Sequence, residues 1–219
     1  MLRKAALHRE DTGNVYNFGT RLPAMLHLDT PEVGDHVKAR IRIEIEQQLR
    51  EAKDVNSVVL RAGDYFGSGR GSWFDLAIVK SIHKGKVVYP GPMDVAHAWA
   101  YLPDFAATFE RVATLRRQLH GASSFHFAGH TMTGAQLHAA LENVCGRTLR
   151  QASLPWGLMK LSAPFSAMTR EILEMRYLWQ RPHALDGGHS KRGWAMCRTR
   201  RWMWRWHKPW LIRCGWKEK

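Results

Sequence analysis

The sequence predicts an α/β fold carried on a largely parallel sheet. Three observations lead there. Short apolar runs of strand character, at residues 57–61, 86–89 and 124–128, alternate with segments of helical periodicity. Strands separated by helices in this order imply crossover connections, and crossovers build parallel sheets. The 219 residues and 45% hydrophobic content suffice for one large domain or two small ones with a sizeable core.

Each element has its own local reason. Residues 15–18 form a short apolar run closed by Gly19. Val37, Ile41, Ile45, Leu49 and Ala52 then recur at near-helical spacing, with Lys38, Arg40, Arg42, Glu44 and Glu46 between them, so an amphipathic helix ending near Lys53 is expected. A buried strand follows at 57–61, a helix at 73–82, a short strand at 86–89 and an extended piece at 95–102. Pro103 stands in the first turn of a helix running to about 119, where its missing N–H costs nothing. After a strand at 124–128, Thr133 and Gln136 form the capping-box pattern. Leu137, Leu141 and Val144 are that helix's stripe, and Gly146 can end it in the left-handed conformation. A strand at 148–153 and a helical stretch to about 180, broken at Pro164, complete the body. No internal repeat is present.

Composition narrows the partners. No apolar run approaches the ~18 residues of a membrane-spanning helix, and the start MLRKAALHRED lacks the apolar core of a secretory signal, so a cytoplasmic location is expected. Three cysteines without CxxC spacing read as free thiols. The formal charge is +14, but residues 188–219 hold ten Lys or Arg against one Glu, which leaves only about +5 for the body. The same segment holds six of the ten tryptophans. Indoles interleaved with arginine could stack on nucleic-acid bases or settle in an anionic membrane interface. That density of Trp, Arg and Cys is also what a shifted reading frame of GC-rich coding DNA produces, and this is the expectation for residues 187–219 and for the atypical segment 1–13. No metal site is expected: His126 and His130 are four apart on a strand, which carries them apart, and no carboxylate is near. The glycines at 67, 69 and 71 are spaced G-x-G-x-G, one residue short of a dinucleotide fingerprint.

Several segments resemble one family. NVYNFG at 14–19 is similar to a strand ending in a VYG-type turn; VVLRAGDYFG at 58–67 to the Arg-Pro-Gly segment that ends in an aromatic-Gly pair. AWAYLPDFAATF at 98–109 is similar to the strand and helix with a valine-aspartate-alanine signature, and HFAGHTMTGAQLHAALENVCG to the late strand and Thr-led helix. Together they resemble, in the correct order over 14–186, the NAD-dependent epimerase/dehydratase family of extended short-chain dehydrogenases/reductases.

The resemblance implies an incomplete Rossmann-like parallel sheet, the C-terminal half of that fold, with a small substrate-binding α/β part. It places Thr12 at the family's Ser/Thr position and His36 and Arg40 where Tyr and Lys of a Tyr-x-x-x-Lys pair are expected, a departure at both catalytic positions. It assigns Arg61, Ala62 and Gly63 to the cofactor and Tyr65, Phe66 and Gly67 to the substrate, a nucleotide-sugar or related hydroxyl compound. The implied cofactor is NAD or NADP. Because no glycine fingerprint occurs in the sequence, a truncated protein is expected that does not bind the cofactor alone. A homodimer is a further expectation. The alternatives are a basic Trp-rich protein binding nucleic acid or anionic membrane through its tail, and a non-catalytic, cofactor-sensing relative.

Overall fold

The computed structural model describes residues 7–67 and 71–187. Its central sheet has three parallel strands in the order β1 (Leu7–Gly13), β3 (Val55–Arg61), β7 (Ala122–His126). The middle strand, VNSVVLR, is buried over its last five residues, as its β-branched content requires of a strand covered on both faces. The edge strand LHREDTG has no such pattern. It is held instead by pairing along its full length, from Leu7 opposite Val55 to Gly13 opposite Arg61. The strand that precedes the VYG-like turn is therefore this polar stretch, residues 7–13 of the segment expected to stand apart. The apolar run that follows is a 3-10 turn, Tyr16–Phe18, which buries Phe18 and ends at Gly19 with φ 73°.

Three smaller sheets complete the molecule. In the first, β4 (Asp64–Phe66) runs parallel to β6 (Ala96–Tyr101), which pairs antiparallel with β8 (His130–Thr133). In the second, β5 (Lys86–Tyr89) is parallel to β9 (Arg150–Ser153), and in the third β2 (Met25–Leu26) is parallel to β10 (Ala184–Leu185). The glycine segment after β3 thus enters a new sheet before reaching its loop. Gly63 permits the change: a Cβ there would lie 2.2 Å from the Ala98 carbonyl oxygen. Residues 68–70 and the tail 188–219 lie outside the described residues.

The helices divide the core in two. Helix α2 (Leu102–Thr114) starts with Pro103 in its first turn and packs Phe105 and Val112 with Val58, Leu60 and Phe127. Helix α3 (Gly134–Cys145) carries the expected capping box in full, and Gly146 closes it at φ 62°. It buries Leu137 and Leu141 in the other cluster, with Phe18, Phe66, Phe74, Trp99 and Trp179. The helix expected at 73–82 is divided into a π turn, Phe74–Ile78, and a 3-10 turn, Ile82–Lys84; the wide turn lets Phe74, Ile78 and Val79 all reach the core. Cys145, at the end of α3, packs against this larger cluster, and the other two cysteines lie outside the described residues.

Helix α1 (Val37–Glu51) forms where expected but is turned about its axis. Val37 and Ile41, the start of its apolar stripe, are 53% and 50% exposed, while Ala39, Glu46 and Leu49 are buried. The cause is Arg61, buried at the end of β3. Its guanidinium donates to both oxygens of Glu46, with Nε at 3.3 Å from Oε1, and to Glu32 at 2.5 Å, and lies 5.6 Å from the centre of the Phe18 ring. A buried cation without a counter-charge is far more costly than two half-exposed aliphatic side chains, so the helix presents Glu46 to the sheet. Glu46→Ala, which leaves that cation with Glu32 alone, is expected to lower stability by about 3–5 kcal/mol, and Val37→Ser by less than about 0.5. Equal losses in denaturant unfolding would show that the aliphatic stripe, and not the carboxylate, holds the helix.

Candidate functional site

The ends of β1 and β3, the 3-10 turn after β1 and the first half of α1 bring the chemistry-bearing side chains together. Arg42 is central. Its guanidinium donates to the Thr12 carbonyl oxygen and stands 3.9 Å from the Asp11 carboxylate. It also lines an open cleft of about 450 Å³ between β1 and α1, with Arg9, Asp11 and Gln48 as the polar walls and Ile45, Leu49, Ala52 and Val55 as the apolar floor. Two buried donors near this region have no hydrogen-bond partner among the described residues, Arg42 Nε and the Tyr65 hydroxyl. Buried donors are normally satisfied, so these two are candidates for an external acceptor.

Tyr65 packs edge-on against Phe105, with ring centres 5.1 Å apart. Burial raises its pKa, the Arg42 charge acts the other way, and Asp64 raises it further. Tyr16 is raised by the same burial and by Asp64, again opposed by Arg42. Both phenols are therefore protonated at neutral pH and act as donors, not bases. Asp64 accepts from His97 Nε2 at 2.9 Å, while His97 Nδ1 faces the Leu178 carbonyl at 3.3 Å. The His97 ring is stacked on Trp179 at 4.2 Å and meets His183 edge-on at 4.5 Å.

The other residues singled out by the sequence are placed differently from one another. Thr12 is exposed at the end of β1, and its carbonyl, not its hydroxyl, is the group in use. His36 is buried as the N-cap of α1: its Nδ1 accepts from the Ala39 N–H at 3.4 Å, and its Nε2 is 3.1 Å from the Tyr177 hydroxyl. Nδ1 also lies 3.4 Å from Glu174, whose carboxyl is held below its ordinary pKa chiefly by the hydrogen bond from Lys38. Arg40 is exposed and donates to the Gly34 carbonyl at 3.3 Å. The basic residue that meets the Thr12 strand is thus Arg42, two residues further on. The helical phase could have found it, since Arg42 lies between Ala39 and Glu46 on the buried face.

The positions assigned to the cofactor do not fit a dinucleotide. Arg61 is occupied by Glu46 and Glu32, Ala62 is buried, and the space beside Gly63 is filled by the Ala98 carbonyl. Phe66, assigned to the substrate, is buried among Phe74, Trp99 and Tyr101, and Gly67 at φ 86° lies against the Tyr101 ring. Among the described residues no cluster of three or more His, Cys, Asp or Glu could hold a metal ion. No helix among them is long and apolar enough to cross a membrane.

The parallel sheet with its crossover helices defines an α/β fold of Rossmann-like class with an incomplete sheet. Solved structures share it. MoeE5 in complex with UDP-glucose and NAD superposes with a TM-score of 0.67 at 11% identity, over 97% of this chain and 65% of that one. The human epimerase family protein SDR39U1 with NADPH gives 0.59 at 18% identity, over 81% and 57%. UDP-glucose-4-epimerase from Stenotrophomonas maltophila, with bound NAD and formylated UDP-arabinopyranose, gives 0.56 at 13%, over 68% and 52%. The chain thus spans between about half and two thirds of the length of these structures. No protein-family model matches it, and no curated protein matches it in sequence.

Two buried histidines set a pH dependence. His126 is lowered to about 4 by burial and then by the Arg61 charge, and its Nδ1 lies 3.1 Å from the Leu26 carbonyl. His183 is lowered to about 3 by burial and then by His97. Both are neutral in the fold, whereas an unfolded histidine takes up its proton near 6.5. Stability is therefore full above about pH 6.5 and falls below it as the unfolded state gains protons, until the folded pKa values are reached. For His126 the full loss is roughly 3 kcal/mol. Between pH 7.5 and 5 the unfolding midpoint is expected to drop, and His126→Asn, which keeps an N–H for Leu26, to flatten the profile. An unchanged slope in that variant would remove His126 from the account.

Proposed function

We propose that this chain is a protein of the NAD(P)-dependent epimerase/dehydratase type, whose complete form acts on a hydroxyl or carbonyl group of a nucleotide-linked sugar. The observation that carries this reading is the superposition of 97% of the chain on a structure holding UDP-glucose and NAD. The local chemistry supports the sugar side of it. Arg42 Nε and the Tyr65 hydroxyl are unsatisfied donors, and phosphate or sugar oxygens are acceptors that would satisfy them. Protonated Tyr65 orients such a ligand by donating a hydrogen bond; Arg42 adds charge. Asp64, fixed by His97, is an acceptor for a sugar hydroxyl.

The nicotinamide cofactor would supply hydride transfer in a complete protein of this type. Arg61, Ala62 and Gly63, engaged within the fold, do not fit it, so this chain's own side chains act on the sugar side. A second reading, a relative that binds without turnover, is favoured by the engagement of His36 as a helix cap and of Arg40 with Gly34. Under either reading the sugar-nucleotide binds and the dinucleotide does not.

Thermal melts and calorimetry test both halves. UDP-glucose is expected to raise the melting temperature of the whole chain, and Tyr65→Phe to weaken that binding about tenfold, the worth of one hydrogen bond. NAD and NADP at millimolar concentration are expected to leave the melt unchanged and to undergo no reduction. A micromolar dissociation constant for NAD would overturn the cofactor reading. A melt insensitive to UDP-glucose would overturn the sugar reading.

A further inference from the structure

Helices α4 (Trp156–Ser162) and α5 (Ala167–Glu174) form a hairpin through the 3-10 turn Ala163–Phe165, and none of the three elements contains a buried residue. Leu158, Leu161, Phe165 and Met168 are 68%, 75%, 92% and 74% exposed. The hairpin is anchored at its base. The Trp156 indole N–H donates to the Pro90 carbonyl at 2.8 Å, the Arg176 guanidinium lies 5.1 Å from the Trp156 ring, and Lys38 of α1 pairs with Glu171 and Glu174. Its turn is satisfied internally. Arg170 donates to the carbonyls of Ala163 and Pro164, and the Ser166 hydroxyl accepts from the Thr169 N–H.

We propose that this hairpin is a membrane-interface anchor that inserts Leu158, Leu161, Phe165 and Met168 into an anionic phospholipid surface. Charge favours that occupant. Lys38 pairs with both Glu171 and Glu174, and Lys160 and Arg170 form no ion pair among the described residues, so with Lys38 the hairpin sets three cations against two carboxylates and faces a negative surface favourably. Size argues against a second copy of the chain: three large apolar side chains on two short helices and one on the turn between them are a small face beside the roughly 20–30 residues a side of a stable interface. Depth agrees too. Helices of seven and eight residues are about 10–12 Å long, far short of a bilayer core but suited to the ~5–10 Å of interfacial burial. Trp156 at the base has the amphipathic ring favoured at headgroup level. Because Arg170 bonds the Ala163 and Pro164 carbonyls of the turn, the tip can leave water without stranding them.

Flotation of the full chain with vesicles tests this. Binding is expected to vesicles of phosphatidylcholine mixed with phosphatidylserine and to be weak with phosphatidylcholine alone. Leu161→Ser with Phe165→Ser, both at exposed positions, is expected to lower the bound fraction about tenfold or more, and Lys160→Glu with Arg170→Glu to remove the preference for phosphatidylserine. Circular dichroism of each variant checks that the fold is kept. Equal flotation of wild type and the Leu161/Phe165 variant would assign binding to the basic segment 188–219 and overturn the proposal. Absence of flotation would also overturn it, as would a concentration-dependent dimer, seen by light scattering, that the same variant abolishes.

Discussion

One buried guanidinium organises this half of the molecule. Arg61 ends the central strand inside the protein, where its charge has no water to lean on. Three separate pieces of chain close around it: α1 supplies Glu46, the segment before α1 supplies Glu32, and the turn after β1 supplies the Phe18 ring. Arg50 extends the network, 3.3 Å from Glu32 and 3.8 Å from Glu46. Such a network is not a large source of net stability, because desolvation offsets much of the attraction. Its effect is on specificity of arrangement. With Glu46 on the sheet, Arg42 one turn earlier must face the end of β1, and Val37 and Ile41 must face outward.

That order of causes explains what the sequence could and could not disclose. The capping box of Thr133 and Gln136, the left-handed Gly146, Pro103 in a first turn and the strand Lys86–Tyr89 are decided within a few residues, and local reading finds them. The phase of α1 is decided by a residue outside it. Hydrophobic periodicity selected Val37, Ile41 and Ile45 because it has no means of weighing a buried arginine elsewhere in the chain. β1 shows the same limit, since LHREDTG becomes a strand through its partner and not through its own propensity.

The candidate site follows the same division. Sequence reading pointed to the end of β1, the start of α1 and the segment after β3, but a two-residue step along α1, about half a turn, puts Arg42 and not Arg40 beside Thr12. Asp64 and His97 carried no signal, because they meet across two strands and are joined only by the parallel pairing of β4 with β6. Tyr65 was legible as a candidate, and burial supplies what the sequence could not, a reason for its hydroxyl to be in want of an acceptor.

The polarity of β1 also bears on how the chain comes to be folded. Its partner β3 begins at Val55, opposite Leu7, so β1 leaves the ribosome dozens of residues before β3 does. Parallel sheets assembled from distant segments form late, and an apolar strand waiting that long would present a template for aggregation. Glu10, Asp11 and their neighbours keep this one hydrated in the interval. A strand with poor intrinsic propensity is thereby suited to being made well before its partner, since nothing in it hastens an association before the right one exists.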